Sequence, residues 1–202
     1  MQLGIRNNIK EVQRDLSDKA RRQIPFATSL AINSVLSDIK RNWEKQLVRK
    51  LDRPTPFTKK AFAIRRATKR SLSGMIFAKA IQAEYLIFAE DGGTRQPEGK
   101  AVLVPVGQRL NKYGNISRGG VGRALAKPKV FSGGPKGRPG ARGVYQRIGK
   151  GRTSRLKLLV HYGDRAKYSA RLNLKTGAYK TAVARLPTAF LKAMRRAAGT
   201  GR

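Results

Sequence analysis

His161 is the chain's only histidine, and with Asp164 it forms a His-x-x-Asp spacing, the first place to look for chemistry. An imidazole beside a carboxylate is the smallest pair able to move protons near neutral pH. This pair stands alone at the end of a strand-like run, where an ordinary strand-end histidine is the better account. Glu84, Glu90 and Asp91 are a second candidate, three acids around one helix end. The last two sit where the helix dipole disfavours negative charge. Gly119-Gly120-Val121-Gly122-Arg123 and Gly133-Gly134-Pro135-Lys136-Gly137 share a glycine content with phosphate loops. Neither has the phosphate-loop spacing or the Lys-Ser/Thr that follows it. With no cysteine there is no thiolate ligand and no disulfide framework, which fits a reducing compartment. The expectation is a protein with no enzyme activity, no cofactor and no metal.

Charge says more. Lysine and arginine number 45 against 11 acids, a net of +34. Beyond Glu98 only Asp164 is acidic, so residues 99–202 carry 25 basic side chains and a local net of +24. So uneven a distribution calls for a polyanionic neighbour, with nucleic acid the first choice. An anionic membrane fits less well, because no segment joins a basic face to a broad apolar one. No apolar run approaches the roughly 20 residues that cross a bilayer, and Met1–Asn8 lacks a signal-sequence core, so a soluble protein is expected. No zinc-finger, helix-turn-helix or RNA-recognition signature is present. The scattered cations, with Tyr113, Tyr145, Tyr162 and Tyr168 among them, suit contact with a phosphate backbone rather than base reading.

The elements that must carry these residues follow from periodicity. Ile5, Ile9, Val12 and Leu16 share one helical face. Pro25 then interrupts and is expected in the first turn of a second helix. There Ile32, Val35, Leu36, Ile39, Trp43 and Leu47 fall within an arc of about 120°. Trp43 at this spacing reads as a packing residue rather than a binding hot spot. A strand is expected around Leu72–Lys79, a short helix over Ala83–Glu90 and a strand over Ala101–Val106, placed at an edge by Pro105. Of the 21 glycines, 15 lie between Gly92 and Gly151. Gly107–Gly151 therefore reads as a long loop or arm, interrupted around Val121–Leu125 and Lys129–Phe131. Gly143–Ile148 and Leu156–Tyr162 form a predicted hairpin. A closing helix carries Val183, Leu186, Phe190, Ala193, Met194 and Ala197 on one face, with Pro187 kinking it or starting its final part.

Between the helical and strand regions lies Leu51-Asp52-Arg53-Pro54-Thr55-Pro56-Phe57-Thr58. Two prolines one residue apart cannot continue a helix and bias their predecessors toward extended backbone. A stiff elbow over Arg53–Pro56 is predicted, with Thr58 capping a turn at Lys59–Phe62.

Asp52–Thr58 is followed in order by Ala67-Thr68-Lys69, Tyr85-Leu86, Gly92-Gly93 with Arg95, and Val104-Pro105. Then come Leu110-Asn111-Lys112-Tyr113-Gly114-Asn115-Ile116-Ser117-Arg118-Gly119, Gly143–Arg147, and Leu186-Pro187 with Phe190 and Ala193. In this order the blocks resemble the prophage minor tail protein Z family of tailed bacteriophages, the tail-completion proteins, across most of residues 52–197. The Asp-Arg-Pro-Thr-Pro-Phe-Thr and Tyr-Gly-Asn blocks are the most specific.

That resemblance implies a structural virion protein that joins tail to head at the neck, assembled in the host cytoplasm. It implies an α+β fold in which long N-terminal helices and a C-terminal helix pack on a central antiparallel sheet. It also implies a homo-oligomeric ring, commonly a hexamer, whose loops reach neighbouring neck and tail proteins. Residues 1–53 would be a helical arm and 54–202 the ring-forming body, with an extended basic loop at about 107–142. The Gly/Arg arm, through Arg118, Arg123, Lys127, Lys129, Lys136, Arg138, Arg142 and Arg147, is expected to contact genomic DNA or an acidic neighbouring ring. Asp52, Arg53, Pro54, Pro56 and Phe57 are expected to fix the arm for assembly. A host-type basic nucleic-acid-binding protein, ribosomal or nucleoid-like, explains the charge equally well but leaves the ordered blocks unexplained.

Overall fold

The computed structural model describes residues 2–5, 18–97, 99, 101–138 and 140–199. The chain divides into two units, one of Met1–Asp91 with Ala170–Arg202, the other Gly92–Ser169. In the first unit lie β1 (Gln2–Ile5), α1 (Asp18–Lys50), α2 (Pro56–Lys59), β2 (Phe62–Arg65), β3 (Gly74–Ala78) and α3 (Ala80–Glu90). The second holds β4 (Gly93–Arg95), β5 (Val102–Pro105), α4 (Gly120–Leu125), β6 (Val130–Gly133), β7 (Gly143–Ile148), β8 (Arg155–Gly163) and β9 (Ala166–Tyr168). The chain then returns to the first unit as α5 (Leu174–Gly199). Helices and antiparallel sheets together make the α+β class expected. Among the described residues the strands form three sheets rather than one, in orders β1-β3-β2, β4-β9 and β5-β8-β7-β6.

The period-3.6 arc of α1 organises the first core. Ile32, Val35, Leu36, Ile39, Trp43 and Leu47 are each no more than 1% exposed. They pack with Phe62, Ile76, Leu86, Leu172 and Leu174. The Trp43 ring meets Phe62 edge-on at 4.8 Å, and its indole N–H donates to the Leu174 carbonyl at 3.0 Å. Asn33 adds a polar clasp: its amide donates to the Ala67 carbonyl and accepts from the Ala67 N–H, both at 2.9 Å. Gly74 is required where β3 crosses α1, since a Cβ there would lie 2.5 Å from Leu36 Cδ1.

α1 and α5 run antiparallel, because Trp43 meets the start of α5 while Ala27 and Ala31 pack on Ala193 and Ala197 near its end. Alanines on both sides allow a close approach of the two helices. Of the six residues expected on one face of α5, Ala193 and Ala197 are buried and Phe190 and Met194 pack beside them. The buried row of α5 is Leu174, Ala178, Ala193 and Ala197, whereas Val183 is 58% and Leu186 36% exposed. The helix continues through Pro187.

Other expectations shift for equally local reasons. Pro25 lies inside α1, not in the first turn of a new helix. One N–H is lost there, and the helix tolerates the gap close to its N-terminal end. Ile5 belongs to β1, paired with Gly74, and not to a helix. The rest of that helical pattern, Ile9, Val12 and Leu16, lies outside the described residues. The boundary expected near residue 53 falls within one unit, because α1 shares its core with α5 and β2.

In the second unit, Gly107–Gly151 is interrupted at the two expected places, by α4 and β6, before β7 begins. Val144 and Val160, both fully buried, pair across the sheet, and Ala124 of α4 covers them. A bulge adds one residue to β8 beside Val144, so Tyr145 faces Leu158 and Leu159 is left over. Gly143 allows the strands to close, since a Cβ there would lie 2.3 Å from the Val160 carbonyl oxygen. Val102–Pro105 forms the expected edge strand, and the predicted hairpin is β7–β8.

Candidate polyanion surface

The carboxylates that might have made a catalytic centre are placed otherwise. His161 sits within β8 opposite Val104 and Gly143, and Asp164 is exposed beyond the strand. Glu90 is 8% exposed, and its carboxylate accepts the backbone N–H groups of Leu174 at 2.8 Å and Lys175 at 3.1 Å. Asp91 pairs with the Lys175 ammonium at 3.1 Å. Acids that look misplaced at the end of α3 thus serve the N-terminus of α5, where the dipole favours them. Among the described residues no three His, Cys, Asp or Glu side chains group as a metal site.

The cations are presented outward. Arg118, Arg123, Lys127, Lys129, Lys136, Arg138, Arg142 and Arg147 are all exposed. None of them pairs with an acid among the described residues. Across Gly92–Ser169 the sequence holds 18 lysines and arginines against two acids, a net of +16. The fold sorts them locally. Arg123 and Lys127 are one helical turn apart on and just beyond α4. Lys129 and Arg147 are neighbours, since the Arg147 N–H donates to the Lys129 carbonyl at 2.8 Å. Lys129 adopts a left-handed backbone, φ 63°, uncommon for a residue with a Cβ. Lys136, Arg138 and Arg142 lie in the β6–β7 connection, whose turns are closed by bonds from Arg138 to Pro135 and from Ala141 to Arg138.

Arg109 and Lys112 belong with this group although sequence reasoning passed them over. Gln108, Arg109, Leu110, Asn111, Lys112, Ser117, Gly120, Arg123, Ala124 and Lys127 line an open cleft of about 540 Å³, with no acid among them. Its loop is tied by Asn111, whose side-chain oxygen accepts the N–H groups of Tyr113 at 2.9 Å and Asn115 at 3.0 Å. An Asn two residues before a turn is the signal that could have revealed it.

The elbow differs in detail from expectation. Thr55, not Thr58, caps the turn, accepting the Thr58 N–H at 3.2 Å, and Pro56 opens α2. A proline in that first position loses no bond. Phe62 is already in β2, so the cap predicted for Lys59–Phe62 is replaced by this earlier one. Arg53 is left-handed, φ 43°, rather than extended. Its guanidinium donates to the adjacent Asp52 carboxylate and holds that carboxyl below its ordinary pKa, in full contact with solvent. Thr58 hydrogen-bonds through its hydroxyl to Tyr85 OH at 3.0 Å, so two separate resemblance blocks meet in space. Phe57, 52% exposed, and Ile81, 63% exposed, line a groove of about 550 Å³ with Pro56 and Lys79.

No family model, no curated protein and no solved structure matches this chain.

Proposed function

We propose that this chain is a tail-completion or neck protein of a tailed bacteriophage, a structural component of the virion that oligomerises as a ring and joins tail to head beside the DNA path. The ordered sequence blocks from Asp52 to Ala193 carry the reading. The eight exposed cations from Arg118 to Arg147, in a unit with two acids, support the part of it that concerns DNA, through phosphate neutralisation. Ring formation draws support from Tyr179, Val183 and Leu186, an exposed apolar row on α5 of the kind a second copy would cover. Arg118 to Arg147 are assigned to DNA or an acidic neighbour, and Asp52 to Phe57 to assembly.

Electron microscopy of particles assembled without this chain tests the reading, with unjoined heads and tails as the expected result. For the elbow, the double variant Pro54→Ala/Pro56→Ala should reduce ring assembly by light scattering while leaving monomer solubility intact. The prolines limit the unfolded chain and hold the capped turn, and their loss should cost about 1 kcal/mol of local order. Rings of normal size and yield from that variant would remove the elbow from assembly.

A further inference from the structure

The cleft beside α4 is built more firmly than a patch of surface charge. Its loop leaves the sheet at the bulge, where the Leu159 carbonyl collects the N–H groups of Val106, Gly107 and Gln108 at 2.9–3.1 Å. Beyond Arg109 the loop is closed by the Leu110–Ile116 bridge and by the Asn111 N–H, which donates to the Asn115 carbonyl at 2.9 Å. Arg109 and Lys112 therefore stand on a fastened turn. Across the cleft, the Arg123 guanidinium donates to the Ser117 hydroxyl at 2.6 Å. Gly119 and Gly120 leave room for this. A Cβ on Gly119 would lie 3.3 Å from Arg123 Nη1, and one on Gly120 would lie 3.1 Å from Ser117 Oγ. The entropy of ordering a long cation is thus partly met before any ligand arrives.

We infer that this cleft grips the phosphodiester backbone of nucleic acid through Arg109, Lys112, Arg123 and Lys127, without reading bases. Four cations and a serine hydroxyl, with no carboxylate, match a run of phosphates. The lining holds no aromatic ring on which a base would stack. The nearby Tyr113 ring instead lies 5.2 Å beneath the Lys112 ammonium. Among apolar side chains only Leu110 and Ala124 line the space, too few to anchor an acidic peptide by its side chains. The inference rests on reading this unit as polyanion-facing, and it adds Arg109 and Lys112 to the residues involved.

The test is fluorescence anisotropy of the full chain with two labelled DNA duplexes of unrelated sequence, across about 50–200 mM salt. The double variant Arg109→Gln/Lys112→Gln is compared with Lys45→Gln/Arg49→Gln, which removes the same charge from exposed positions of α1, outside the cleft and outside the proposed DNA-facing cations. The cleft pair should lose about tenfold or more in affinity for both duplexes and flatten the salt slope by about 1.8, for two phosphates released. The outside pair should change little. Ser117→Ala, which frees Arg123 without altering charge, should weaken binding by about threefold. All these side chains are exposed, so circular dichroism melting curves should coincide. Equal losses in the two pairs would overturn the cleft while leaving the wider basic surface in place. If the unaltered protein bound neither duplex, both would fall. Displacement of the duplex by polyglutamate at lower charge concentration would assign the cleft to acidic protein and overturn the phosphodiester ligand.

Discussion

Replacing Trp43 with alanine is expected to lower the unfolding free energy of the first unit by about 3–5 kcal/mol. Trp43 is 1% exposed and lies where α1, β2 and α5 converge, against Phe62 and the first residue of α5. Removing the indole leaves a cavity that flanking backbone cannot fill, since the α1–α5 contact is already close at its alanine end. It also removes the indole hydrogen bond to the Leu174 carbonyl. Trp43→Phe separates the two effects: most of the apolar volume remains, and the missing N–H should cost about 1–3 kcal/mol. Urea unfolding followed by far-ultraviolet circular dichroism measures both, because the only tryptophan cannot report on its own removal. A loss under about 1 kcal/mol for the alanine variant would mean that this core is not the centre of the unit.

The second large effect concerns binding and not stability. Neutralising Arg118, Arg123, Lys127, Lys129, Lys136, Arg138, Arg142 and Arg147 together, each to glutamine, should abolish DNA binding at physiological salt. If all eight meet phosphates, the slope of log affinity against log salt flattens by about 7, from about 0.9 per phosphate. The melting temperature should hold or rise, since exposed cations that pair with no acid repel one another. Titrations at several salt concentrations read the slope directly. An unchanged slope would place the DNA contact, if any, elsewhere on the chain.

What could be read in advance follows the range of the interactions. The α1 arc was legible because a period of 3.6 repeats over about four turns, and all six residues that define it are buried. Pro105 marked an edge strand, since a proline there needs no ladder partner on its outer side. The β7–β8 hairpin was equally local. By contrast, β1 exists through pairing with β3, some seventy residues on, and no local pattern announces it. On α5 the pattern placed Ala193, Ala197, Phe190 and Met194 inward as found, but it grouped Val183 and Leu186 with them, and these two are exposed. Glu90 looked wrong at its own helix end because the helix it serves begins 84 residues later. Of the basic side chains, the eight from Arg118 to Arg147 were legible from composition, and all of them are exposed. Arg109 and Lys112 were not, because a tied loop and a pinned guanidinium bring them opposite Arg123.

The most direct measurement of the proposed role is electron microscopy of phage particles produced with and without this chain. The account predicts filled heads and complete tails lying apart when the chain is absent, and joined particles once it is restored. Stably joined, infectious particles in its absence would contradict a role in completing the tail and joining it to the head.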